Sequence, residues 1–256
     1  MSSAQAGRAV LVTRPAGLAA RLAELLRLEG CEAVLFPAIE ILPPDDAAGL
    51  RGIVARLDEF DIAIFVSPTA VARAMAAVTA SRSWPAGLKF AAVGSGTARA
   101  LRDAGIGPVL APQGRGDSEA LAALPELSAV ARKRVVIFRG QGGRETLRAA
   151  LLARGALVEY AECYRRALPQ ADIAPLVQRW RKRGIAGVCV TSAQGLDNLF
   201  TLLGDSAAPL LRATPVFVPH PRVADAARRH GVAKVFVTGP GDEDLVAALA
   251  GFFAKV

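Results

Sequence analysis

The sequence predicts an α/β protein made of two similar, doubly wound parallel-sheet domains, and three observations carry that prediction. The chain overlays itself when shifted by 125 positions. Val12-Thr13-Arg14-Pro15 recurs as Ile137-Phe138-Arg139-Gly140, Phe65-Val66-Ser67-Pro68 as Val190-Thr191-Ser192-Ala193, and Ala92-Val93-Gly94 as Phe217-Val218-Pro219. A period this long is a duplicated half, not a solenoid repeat. Unbroken apolar runs precede the helices, and runs without alternation mark strands covered on both faces, hence parallel sheets. Finally, amphipathic helix, glycine and β-rich run follow one another four times, the alternation expected of doubly wound, three-layer domains.

In chain order, Ala9-Val10-Leu11-Val12 is a strand. Residues 17–29 form a helix whose Leu18, Leu22, Leu25 and Leu26 make one buried stripe. Gly30 stops that helix before Ala33-Val34-Leu35-Phe36. Gly105, Gly155 and Gly231 play the same part before Val109-Leu110, Leu157-Val158-Glu159-Tyr160 and Val235-Phe236-Val237. Glycine supplies the left-handed residue past a helix end, and the arginines in the last turns meet the negative end of the helix dipole. His230 belongs to that capping set. Ile62-Ala63-Ile64-Phe65-Val66, Val135-Val136-Ile137-Phe138 and Val188-Cys189-Val190 are the covered strands.

Two extended, repeat-equivalent stretches, residues 36–44 and 161–169, read as crossings between domains. One partition joins residues 1–37 with 168–256 around an inserted domain of residues 41–163, with linkers at about 38–41 and 162–168 forming a short hinge ladder. A sequential partition, 1–125 and 126–256, fits the repeat equally well.

Composition excludes several classes. With 256 residues, 52% of them hydrophobic, each half can bury its own core. The 31 Lys and Arg against 23 Asp and Glu give a net charge of +8, which favours an anionic partner. Three scattered cysteines and two histidines supply neither a disulfide framework nor a metal centre, and they suit a reducing cytoplasm. No run reaches the roughly 18–20 apolar residues of a membrane span. The basic runs Arg132-Lys133-Arg134 and Arg179-Trp180-Arg181-Lys182-Arg183 lack aromatic interleaving and any recognised helix motif, so nucleic acid is not the expected partner. They fall before strands, and Trp180 caps the apolar core there.

Ligands of doubly wound sheets bind at the carboxyl ends of strands, beside helix N-termini. Thr13-Arg14-Pro15, Ser67-Pro68-Thr69, Gly94-Ser95-Gly96-Thr97, Arg139-Gly140-Gln141-Gly142-Gly143-Arg144, Thr191-Ser192-Ala193-Gln194-Gly195 and Thr238-Gly239-Pro240-Gly241-Asp242 all stand there. Hydroxyls and free backbone N–H groups at helix starts suit carboxylates or phosphates. Each serine or threonine is equally an ordinary N-cap. Arg14, Arg139 and Arg144 stand where a carboxylate could be gripped. Glu145 and Arg99 break the two near-matches to a dinucleotide fingerprint, and no P-loop or nucleophile elbow occurs, so no nucleotide cofactor and no covalent nucleophile are expected. Tyr164, in the second crossing beside Arg165-Arg166, is singled out, either as an acid or as a hinge tyrosine that packs its ring. Its reference pKa near 10 keeps it protonated at neutral pH, able to give a proton to a departing hydroxide at the mouth of an inter-domain cleft.

Leu11-Val12-Thr13-Arg14-Pro15, Phe65-Val66-Ser67-Pro68, Ala92-Val93-Gly94 with Thr97-Ala98, Arg139-Gly140-x-x-Gly143-Arg144, Gly155-Ala156, Tyr164-Arg165-Arg166, Thr191-Ser192 and Gly195, in this order and spacing, resemble the uroporphyrinogen-III synthase family. The resemblance implies two flavodoxin-like α/β domains joined by a two-stranded connector, and it selects the inserted partition. It implies a monomer acting, without a cofactor, on hydroxymethylbilane, a linear tetrapyrrole with eight carboxylate side chains. Tyr164 matches the family's cleft tyrosine, as the catalytic residue. Ser67 and Ser192 match its paired strand-end serines, and Thr97 its helix-start threonine. Together with Arg14, Arg139, Gly142, Arg144 and Gly195 these would bind substrate. The chain departs from the family pattern at His220-Pro221-Arg222-Val223, where a threonine equivalent to Thr97 is missing, and at Thr69, where some members carry a basic residue. A non-catalytic two-lobed binder of an anionic molecule is the alternative reading.

Overall fold

The computed structural model describes residues 8–114 and 116–255, so residues 1–7 of the first expected domain lie outside the described residues. In chain order it contains β1 (Ala9–Val12), α1 (Ala20–Leu28), β2 (Glu32–Leu35), β3 (Glu40–Leu42), α2 (Ala47–Ala55), β4 (Ile62–Phe65), α3 (Pro68–Thr79), β5 (Lys89–Ala92), α4 (Ser95–Asp103), β6 (Val109–Leu110) and α5 (Ser118–Ala122). There follow β7 (Arg134–Gly140), α6 (Thr146–Ala153), β8 (Leu157–Ala167), α7 (Ala174–Arg181), β9 (Gly187–Cys189), α8 (Ala193–Ala213), β10 (Val216–Val218), α9 (Pro221–Arg229), β11 (Val235–Val237) and α10 (Asp242–Phe253).

Contacts divide the chain into two compact units, one of residues 1–40 with 167–256 and one of residues 41–166. Among the described residues the first unit carries a five-stranded sheet, β11-β10-β9-β1-β2, and the second a six-stranded sheet, β3-β8-β7-β4-β5-β6. The ladders of β1 with β2 and β9, and of β4 with β5 and β7, are parallel. The 125-residue shift equates β1, β2, β9, β10 and β11 with β7, β8, β4, β5 and β6 in these printed strand ranges. With that mapping the order of the first sheet is the order of the second, β3 apart. Each unit therefore combines the leading part of one repeat with the trailing part of the other.

Every residue of β1 and β4 is buried, as unbroken apolar runs require. Phe65 lies opposite Phe138 in the β4–β7 ladder, and their rings stack with centroids 4.8 Å apart. Two apolar clusters cover the two faces of the second sheet, one holding Phe65, Phe138 and Tyr164, the other Ile64, Ile137 and Leu147. Gly30, Gly105, Gly155 and Gly231 all take positive φ, the left-handed conformation that closes a helix end. Helix α1 starts three residues later than its leucine spacing predicts, because Gly17 has φ +84 and cannot be helical. Its buried stripe is Leu22 and Leu26. Helix α8 bends at Gly204, whose backbone is non-helical.

The basic runs sit before β7 and β9 and are paired locally. Lys133 Nζ lies 2.7 Å from Asp61, and Arg134 reaches both Glu59 and Glu159. Arg179 holds Glu32 through two donors. These pairs are largely exposed, so each contributes little to stability. Trp180 is buried and its indole donates to Thr214 Oγ1 at 2.9 Å.

Cys31, Cys163 and Cys189 are free and buried. Burial pushes the Cys163 thiol up to about 12 and raises the other two. Thiolates are the reactive form. At pH 8 the native protein should therefore react with an aromatic disulfide reagent far more slowly than a free thiol does, and denaturant should release all three groups at once. Rapid labelling of the folded protein would contradict this packing.

Candidate functional site

The carboxyl ends of β4, β5 and β7 point into helix starts, and each turn is built locally. Ser67 is extended, and its Oγ accepts the Ala70 N–H at 3.1 Å, so it N-caps α3, with Pro68 in the first turn. Ser192 does the same for α8, accepting the Gly195 N–H at 3.0 Å. Gly195 is there for space: a Cβ on it would lie 3.1 Å from Ser192 Oγ and 3.6 Å from Ile39. Thr97 is buried in the first turn of α4, after the Gly94 N-cap.

Strand β8 contains the decisive irregularity. Its register with β7 runs Arg139 to Glu162 and then Gly140 to Tyr164, a β-bulge that leaves Cys163 unopposed. Simple alternation would send Tyr160, Glu162 and Tyr164 to one face. The bulge turns Tyr164 over, so Tyr160 packs against one apolar cluster and Tyr164 lies within the other. Gly140 makes the room, since a Cβ there would come within 2.6 Å of the Tyr164 ring. The Tyr164 carbonyl accepts the Gln141 N–H at 2.8 Å, locking the two strand ends together.

Tyr164 thus stands in a strand and is fully buried, not free in a linker as the sequence led us to expect. Its hydroxyl lies 3.1 Å from Ser67 Oγ and receives a hydrogen bond from Arg166 Nη2 at 3.0 Å. The Arg166 guanidinium also lies 5.4 Å from the centre of the Tyr164 ring. Arg165 turns away to pair with Asp45 at 3.0 Å.

Arg139, expected to face a ligand carboxylate, is only 5% exposed and already has one. Its Nη1 donates to Glu145 at 3.0 Å, its Nε to the Gly140 carbonyl at 3.2 Å and its Nη2 to the Gly142 carbonyl. Its guanidinium lies 4.3 Å from the centre of the Tyr160 ring. Arg139 is therefore the clamp of the 140–144 loop, in which Gly142 and Gly143 take φ +69 and +106. Arg14, its repeat equivalent, likewise has an internal partner, Asp242 at 2.5 Å in the first turn of α10. Both arginines were read as ligand-facing because their partners are not evident from the local sequence. Arg144 remains exposed and reaches Glu119 at 3.5 Å.

Sequence reasoning missed the Tyr160–Glu145 pair. Tyr160 donates to Glu145 at 2.7 Å, and burial followed by that carboxylate pushes the phenol up to about 12. The Tyr160 hydrogen bond, then Arg139, hold Glu145 below the usual carboxylate range. Above this cluster opens a cavity of about 200 Å³ lined by Arg139, Gly142, Arg144, Ser118, Tyr160 and Arg166. It can take an anionic, partly planar group. Among the described residues no cluster of His, Cys, Asp and Glu could hold a metal ion, and no helix is long and apolar enough to cross a membrane.

The family model described as "Uroporphyrinogen-III synthase HemD" matches residues 20–247. The chain belongs to the uroporphyrinogen-III synthase family. It is 37% identical over 238 residues to the uroporphyrinogen-III synthase of Salmonella typhimurium, covering 92% of this chain and 96% of that one. The Escherichia coli enzyme matches at 37% over 237 residues with the same coverage. A Thermus thermophilus uroporphyrinogen III synthase crystal structure superposes with a TM-score of 0.63 at 21% identity, covering 97% of this chain and 98% of that one. The Helicobacter pylori structure gives 0.58 at 12% identity, covering 96% and 99%. At such identities the structures speak to the fold, which they share with this chain. The family's activity lies in haem biosynthesis.

Two outcomes follow from the site geometry. Gly140→Ala should destabilise the protein by about 1–3 kcal/mol, the usual range for overpacking, and calorimetry would register it as a lowered melting temperature. Glu145 acts the opposite way with pH. Its folded pKa lies below the unfolded one, so its pair adds stability above about pH 4.3 that is lost as pH falls through the folded value. Glu145→Gln should then melt earlier than the unsubstituted protein at neutral pH, the gap closing in acid. A gap independent of pH would refute the assignment.

Proposed function

We propose that this chain is a lyase that cyclises hydroxymethylbilane to uroporphyrinogen III, with loss of water and inversion of the last pyrrole ring. The observation that supports this best is the Tyr164 hydroxyl, held by Ser67 and by Arg166, which itself lines a cavity with Arg139 and Arg144, in a chain of this family. Loss of hydroxide from the hydroxymethyl arm leaves a cation that the pyrrole nitrogen stabilises, so neither a metal nor a redox cofactor is required by the chemistry. A linear tetrapyrrole closes unaided, but to the uninverted isomer. The protein's contribution is to hold the bilane so that direct end-to-end closure is out of reach, which is catalysis by positioning.

In this reading Tyr164 assists departure of the hydroxide. Arg144 and the backbone of the Gly142 loop grip carboxylates directly. Arg139 and Arg14 act one step back, by fixing the turns that carry those groups. Ser67, Thr97, Ser192 and Gly195 shape the helix starts whose N–H groups favour anions. A substrate with eight carboxylates suits a chain with a net charge of +8. The reading extends to a two-domain monomer working in the cytoplasm; three unpaired thiols favour a reducing compartment.

Given hydroxymethylbilane, the purified protein should form the type-III isomer in excess over the spontaneous type-I product. Tyr164→Phe should slow type-III formation several-fold or more without abolishing it. Type-I product alone from the unsubstituted protein would mark a binder, not an enzyme.

A further inference from the structure

The Tyr164 hydroxyl has two polar neighbours, and the chemistry of one of them fixes the direction of its hydrogen bond. Arginine only donates. The contact at 3.0 Å from Arg166 Nη2 therefore ends on a lone pair of the phenol oxygen. Ser67 Oγ, 3.1 Å away on the other side, already accepts the Ala70 N–H as the cap of α3. Its second lone pair can accept the phenol hydrogen, or its own hydrogen can point at the phenol oxygen. Either way Arg166 occupies one lone pair of the phenol oxygen, and the phenol hydrogen points away from the guanidinium. The cavity lined by Arg166 and Arg139 adjoins this cluster.

The duplication tells whether the fold itself needs this arrangement. The shift of 125 positions sets Ser67 against Ser192, Tyr164 against Ile39 and Arg166 against Ile41. The capping serine is kept in both halves and caps a helix in both. The tyrosine and the arginine are replaced by hydrocarbon, and the first sheet has the same strand order without them. The architecture therefore requires the serine and does not require the pair. Arg166 is exposed and its guanidinium is placed by Tyr164, through the hydroxyl and the ring face.

We propose that Arg166 is a positioning residue for Tyr164, an inference that rests on the function proposed above. By holding one lone pair of the phenol oxygen it fixes the rotation of the O–H and stands where the phenolate charge develops on proton transfer. As the carbon–oxygen bond of the hydroxymethyl arm breaks, the pyrrole nitrogen lone pair fills the position of the lost pair of electrons. The oxygen takes the Tyr164 proton and leaves as water. The negative charge left on the phenol oxygen faces the Arg166 guanidinium and the Ser67 hydroxyl. Inversion then forms two carbon–carbon bonds and breaks one, the bond that joined the last ring to its methylene bridge; the proton shed from the free pyrrole α-carbon as the second bond forms balances the one given up by Tyr164. A charge-assisted bond of this kind acts where charge develops, so it bears on turnover more than on substrate affinity.

The test is a double-mutant cycle in the isomer-resolved assay with hydroxymethylbilane. Arg166→Gln should lower kcat about tenfold, the equivalent of one charged hydrogen bond, with KM changed far less. Combined with Tyr164→Phe, it should cost no more than Tyr164→Phe alone, because the group it serves is gone. Arg166→Lys, which keeps a charged donor, should recover part of the loss and guards against a folding defect in the Gln variant. Losses that multiply in the double variant, a change confined to KM, or a Lys variant as poor as Gln would each overturn the positioning role while leaving the function standing. Absence of type-III product from the unsubstituted protein would instead remove the function on which the role rests.

Discussion

One extra residue in β8 governs the carboxyl end of the second sheet. Cys163 has no opposite number on β7, so the strand turns over between Glu162 and Tyr164. A large phenol is thereby driven into an apolar cluster that already holds Phe65 and Phe138. It fits only because Gly140, at the end of β7, has no side chain. Close packing then transmits the constraint outwards, because a dense interior leaves nothing to absorb a shift. The Gln141 N–H is tied to the Tyr164 carbonyl, the following loop is drawn back onto Arg139, and Arg139 is braced by Glu145 and Tyr160. The hydroxyl of Tyr164 can meet Ser67 because both strand ends are held at one level.

The sequence made the layered architecture legible and left the polar contacts hidden, and the reason is physical. Residues such as Ile62 to Phe65 declare a covered strand through their own apolarity, and a glycine such as Gly30 declares a helix end through its own backbone freedom. These are local properties. Arg14 finds Asp242 at a separation of 228 positions, and Tyr164 finds Ser67 at a separation of 97. Nothing near either residue announces its partner. Arg139 was read as ligand-facing for the same reason, since an arginine at a strand end looks alike whether it waits for a ligand or clamps its own loop. The bulge at Cys163 was equally invisible, because a strand of mixed polar and apolar residues keeps its composition when one of them slips out of register. Alternation alone would have placed Tyr164 on the face now occupied by Tyr160.

The duplication also separates what the architecture needs from what chemistry adds. Two halves with one strand order share their capping serines, their helix-ending glycines and their covered strands. They differ at Ile39 and Tyr164, where one half is sealed with hydrocarbon and the other carries a hydroxyl. A scaffold that tolerates either residue can be specialised on one side without being rebuilt.

The exchange of leading and trailing parts between the repeats has a consequence for biogenesis. Residues 41–166 are contiguous, and everything their sheet requires has been synthesised once β8 is made. The other sheet is different: β1 lies between β2 and β9, and β9 begins only at Gly187. The nascent chain must therefore carry β1, fully apolar in its sequence, through synthesis of the entire inserted unit before its second neighbour exists. The length of that interval is set by connectivity alone.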